Sequence, residues 1–173
     1  MRPVAWSALL MMAFMVSPGV EACSCRLLKG TPVRQVEQSF DESGSVFVAR
    51  LMRSVLKPDM QHSSTVYEEA QFEVLEVFKG ELRVGQRVFV RQALNAGSCG
   101  MSSTNDPPWL QQVVKKTGET RPVKISREWL IYSGASEPYS LDQCSRSMPI
   151  NVEGGKDAKM LRELIRKRRK PRR

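Results

Sequence analysis

The stretch YEEAQFEVLEVFKG, residues 67–80, alternates like a β-strand and then breaks its own alternation. Phe72 and Val74 share one parity, whereas Leu75 and Val77 take the other. Side chains along a strand point strictly to opposite faces, so a slip of one residue signals a β-bulge. A bulge bends its strand, and bent strands are what a small barrel needs. Three more stretches have the same β-branched and aromatic character: SVFVARLMRS (45–54), GQRVFVRQA (85–93) and REWLIYSG (127–134). KGELRVG (79–85) reads as a glycine-bounded connection between two of them.

Outward from these strands, TPVRQVEQSF (31–40) changes period. Thr31 can cap a helix, Pro32 suits its first position, and Val33, Val36 and Phe40 fall on one face. The stretch NAGSCGMSSTNDPPWLQQ (95–112) reads as a long loop, with Trp109 expected to fold part of it back on the core. Five or so strands, one N-terminal helix and no α/β alternation predict a mainly β chain, a small Greek-key barrel or sandwich. There are no internal repeats and no N-x-S/T sequon.

The beginning of the chain reads as an export signal over residues 1–22. Arg2 precedes the apolar run VAWSALLMMAFMV (4–16), Pro18 and Gly19 break a helix, and VEA places small residues at the −3 and −1 positions of a cleavage site. The run is short for a bilayer span, so cleavage after Ala22 is expected, leaving Cys23 as residue one of a secreted or periplasmic protein. Acylation of Cys23 as a lipoprotein is the rival, but Glu21 suits a lipoprotein box poorly. The remaining chain, about 150 residues, suffices for one compact domain.

An exported chain with four cysteines predicts disulfides. Cys23 bonded to Cys25 would close a minimal, strained ring, so each is expected to reach a distant partner, Cys99 or Cys144. A structural zinc site is the competing use, but such sites present two closely spaced pairs, and Cys99 and Cys144 stand alone in sequence. No cofactor and no metal of its own is expected.

Charge is concentrated at the far end. The net charge is +9, and KDAKMLRELIRKRRKPRR (156–173) holds ten Lys and Arg against Asp157 and Glu163. Ala158, Leu161, Leu164 and Ile165 recur at helical spacing and predict a docked C-terminal helix. RKRRKPRR (166–173) is expected to be disordered, with Arg166, Lys167, Arg168, Arg169, Lys170, Arg172 and Arg173 able to meet an anionic surface or polymer. Catalytic motifs are missing. The lone histidine, His62, sits in the polar stretch KPDMQHSST and reads as a solvated loop residue, so a non-enzyme is expected.

An export signal followed at once by C-x-C resembles the tissue inhibitors of metalloproteinases and related netrin-type domains. SFDESGSVFVARLMRSV, FEVLEVFKG, GSCG around Cys99, EWLIYSG and QCSRSMPI around Cys144 continue the likeness, which covers residues 23–150. The resemblance implies a five-stranded OB-type barrel, with residues 151–173 as an added basic helix and tail. It implies the pairings Cys23–Cys99 and Cys25–Cys144. It also implies that the free amine and carbonyl of Cys23 would chelate the catalytic zinc of a partner protease, displacing the water the protease needs. Ser24 would point into the specificity pocket, and Cys25, Gly97, Ser98 and Cys99 would complete the contact ridge of a monomeric inhibitor.

The chain departs from that pattern in two places. The further cysteine expected before the first strand is replaced in SFDES, and the prolines after C-x-C give way to RLLKG, which adds Arg26 and Lys29 to the ridge. A second reading follows: a non-inhibitory binding module in which C-S-C is a double staple and the tail is the attachment site.

Overall fold

The computed structural model describes residues 25, 28–59, 66–94, 99–104, 111–113, 120–122 and 125–169. Helix α1 (Pro32–Glu42) precedes β1 (Ser45–Pro58), β2 (Val66–Lys79) and β3 (Arg87–Ala93). A small hairpin, β4 (Gln111–Val113) with β5 (Thr120–Pro122), follows. Then come β6 (Glu128–Ser133), β7 (Met148–Pro149), a single π-helical turn (Ile150–Gly154) and α2 (Gly155–Arg169). The chain is mainly β, with the expected helix at each end.

Five strands form one antiparallel sheet in the order β3-β2-β1-β6-β7. The sheet is open. A parallel bridge between Val90 of β3 and Tyr139 brings the segment after β6 against the β3 edge, so the sheet curls without closing. A meander, a return to β1 and a parallel contact on β3 make the connectivity of a partly open Greek-key barrel. The fifth strand lies in the QCSRSMPI stretch and is only two residues long.

The parity slip in β2 is the bulge that bends the sheet. Val48 pairs with Glu76 and Ala49 with Val74, which leaves Leu75 as the extra residue. A second shift leaves Phe78 extra between Lys79 and Val77, and a third falls at Met52 of β1. Phe72 and Val74 therefore enter the core on the inner face, whereas Leu75 and Phe78 turn to the outer one. Gly80 ends β2 at φ +104°, and a Cβ there would stand 2.7 Å from Ser45 Oγ, so the turn excludes any larger residue.

Two apolar layers result. Phe47, Ala49, Phe72, Val74, Val88, Trp129, Ile131 and Leu141 fill the concave face of the sheet. Val46, Val48, Leu130 and Tyr132 point the other way, under Val36 and Phe40 of α1 and Ala158, Leu161 and Leu164 of α2. The unbroken apolar runs SVFVA and WLIY are thus explained, since both their faces are covered.

Two expectations require correction. Val33, in the first turn of α1, is 52% exposed; Val36, Ser39 and Phe40, in the later turns, form the buried face instead. The basic stretch from Arg166 is not wholly without order, since α2 runs on to Arg169. Two arginines of α2, one on each side of that boundary, find partners on the body. Arg162 donates two hydrogen bonds to Glu76 (3.0 and 2.6 Å), and Arg168 donates two to Asp41 (2.8 and 3.1 Å) while lying over the Phe40 ring. The hydrogen bonds from Arg168 hold the Asp41 carboxyl below the usual carboxylate range. Apolar docking of Leu161 and Leu164 carries the helix; these exposed pairs add specificity of register more than energy.

Candidate functional site

The N-terminal staple is built by the segment after β6. Residues 99–101 run antiparallel to 141–143: Gln143 N–H donates to Cys99 O (2.8 Å) and Met101 N–H to Leu141 O (3.0 Å). On its other side Gly100 lies against the end of β3, where a Cβ would collide with the Ala93 carbonyl. The ladder delivers Cys99 beside Cys144, with their sulfurs 3.7 Å apart. Cys144 is bonded to Cys25, whose Cα lies 4.8 Å away, across 119 residues of sequence. Cys99 is also disulfide-bonded. Its expected partner Cys23 lies outside the described residues, as do Ser24, Gly97 and Ser98.

The turn carrying Cys144 is fixed from below. Asp142 accepts from Ser145 N–H (2.7 Å), and Ser147 Oγ both accepts from Tyr132 N–H (2.9 Å) and donates to Tyr132 O (3.2 Å). Arg146 then reaches across to both helices. It donates to both Asp157 carboxylate oxygens (2.7 and 2.9 Å) and to Gln35 Oε1 (3.1 Å), and Gln35 Nε2 donates to Leu28 O (3.0 Å). One chain of hydrogen bonds thereby ties α2, the Cys144 turn, α1 and the segment leaving Cys25. The hydrogen bonds to Asp157 raise the pKa of Arg146 further, and burial, as the larger cause, raises that of the neighbouring Tyr132 hydroxyl.

A second clamp holds the Cys99 segment. Glu68 of β2 is fully buried, and its carboxylate accepts from Ser54 Oγ (2.5 Å), Gln92 Nε2 (2.5 Å), Ser103 N–H (2.8 Å) and Ser103 Oγ (2.6 Å). A carboxyl group stays buried only when its oxygens find donors in this way. Glu68→Ala should lower unfolding free energy by about 3 kcal/mol, because it strands donors on three residues inside the protein. Urea denaturation measures this; a change within the scatter of surface substitutions would show that the donors find water instead.

Neither clamp was singled out by the sequence reading, yet both left a trace. Glu68 has the parity of Ala70, Phe72 and Val74, so it sits on the inward face of its strand. Asp157 lies four residues before Leu161 and seven before Leu164, on the apolar stripe of α2. A charge on a buried stripe announces a partner, though not which one.

The basic residues divide into two groups. Arg168 is engaged with Asp41, whereas Arg166, Lys167 and Arg169 are exposed along α2. Lys170, Arg172 and Arg173 lie outside the described residues, as do His62 and Trp109. Among the described residues no group of three or more His, Cys, Asp or Glu is placed to hold a metal, and no helix is long and apolar enough to cross a membrane. Compared with known proteins, the chain matches no family model and no curated sequence.

Proposed function

We propose that the chain is an exported, disulfide-stapled domain of the TIMP-like, netrin-type kind, and that its processed N-terminus inhibits zinc metalloproteases. The observation that supports this reading is the contact between the sulfurs of Cys144 and Cys99 beside the Cys25 bridge. Two staples meeting at one spot hold the residues around C-x-C in advance of binding, which reduces the entropy lost on association. In this reading the amine and carbonyl of Cys23 chelate the protease's zinc, Ser24 enters the specificity pocket, and Cys25, Gly97, Ser98 and Cys99 form the surrounding ridge. An α-amino group titrates near pH 8, so it yields its proton readily to a metal.

The test is a panel inhibition assay with correctly processed, oxidised protein. One alanine added before Cys23 leaves bridges and charge intact but displaces the amine, so affinity should fall on the order of 10²-fold or more. Ser24→Gly should shift preference among proteases instead. Full inhibition by the alanine-extended protein would overturn the chelation mechanism.

A second reading, a non-inhibitory module attached to an anionic surface, draws on one specific observation. Arg166, Lys167 and Arg169 are exposed on an ordered helix and make no ion pair among the described residues.

A further inference from the structure

Where the end of β2 meets α2, Val77, Phe78 and Ile165 line a groove of about 420 Å³. All three are half-buried. Arg162, Arg166 and Arg169 form the remainder of its lining, with Glu76. Glu76 is engaged with Arg162, which also lies over the Phe78 ring at 6.0 Å, so one arginine is neutralised and fixed in place. The other two keep their charge.

We propose that this groove binds the headgroup of an anionic phospholipid presented by a membrane. The proposal rests on the second reading above, the anionic attachment surface, and gives that surface a place and a chemistry. A phosphodiester offers two oxygens that share one negative charge, which suits the planar fork of a guanidinium. The glycerol and the first methylenes of the acyl chains would then lie on Phe78 and Ile165, removing an apolar wall from water. A sulfated polysaccharide or a nucleic-acid backbone would satisfy the same cations but leave that wall wet. Cations beside an apolar wall match an anionic leaflet, whose phosphates lie above its acyl chains.

The experiment is flotation of the full processed protein with phosphatidylcholine vesicles, with and without phosphatidylglycerol. Binding should require phosphatidylglycerol and weaken with salt. Arg166→Gln with Arg169→Gln should weaken it on the order of thirtyfold. Lys156→Gln with Lys167→Gln removes the same charge from the opposite side of α2 and should cost far less. Equal losses from the two pairs would overturn the groove while leaving surface attachment standing. No binding to anionic vesicles would overturn both. Glycerol phosphate, which carries the phosphate without acyl chains, should not displace the protein; displacement would make a soluble phosphate compound the ligand and overturn the lipid assignment.

Discussion

Replacing Cys25 and Cys144 together by serine should lower the stability of the oxidised protein by about 5 kcal/mol. Their bridge spans 119 residues, and closing a loop of that length removes about this much denatured-state free energy in the chain-entropy model. The double substitution is required. A single Cys25→Ser would leave the Cys144 thiol 3.7 Å from the sulfur of Cys99, where thiolate attack on the remaining disulfide would scramble the pairing. Denaturant unfolding under non-reducing conditions measures the loss. Residues 28–30 should also exchange their amide hydrogens faster, since among the described residues Gln35 is then the side chain that ties Leu28 and Gly30 to the domain. A loss under about 1 kcal/mol would mean that the denatured chain is already compact there, so the bridge constrains little.

The sheet was largely legible because its signals are local. The slip between Val74 and Leu75 is a property of six consecutive residues, and the bulge stands where that slip places it. Thr31 caps α1 as its hydroxyl and Pro32 suggest, accepting from Arg34 N–H at 3.4 Å. Val33 was misleading because helical spacing gives the phase of a face but not where along the helix the neighbouring sheet stops. The start of the basic stretch was misjudged for a related reason. Composition treats Arg168 as one of a run of mutually repelling charges, whereas the fold supplies Asp41, from 127 residues away, to receive it. The staple was legible in part. Residue spacing alone left Cys25 two distant partners, and the ladder between 99–101 and 141–143 that seats Cys99 beside Cys144 has no local sequence signal.

Arg146→Ala is expected to cost 3–5 kcal/mol, on the order of what breaking one side of a buried ion pair costs. The side chains of Arg146 and Asp157 are only 19% and 5% exposed. Without the guanidinium, the Asp157 carboxyl group loses the two hydrogen bonds it accepted on the buried stripe of α2, and Gln35 loses the donor to its Oε1. The pair itself need not be net stabilising, because taking both charges out of water offsets most of their attraction. The double variant Arg146→Met with Asp157→Leu should therefore recover most of the stability lost in Arg146→Ala. Its N-terminal segment should not recover to the same degree, since no methionine can bridge Asp157 to Gln35 and onward to Leu28 O. Thermal unfolding and amide exchange over residues 28–31 separate the two effects. Equal recovery of both would show that the polar chain serves packing alone, whereas stability regained with a loosened N-terminal segment would identify Arg146 as the residue that positions the staple.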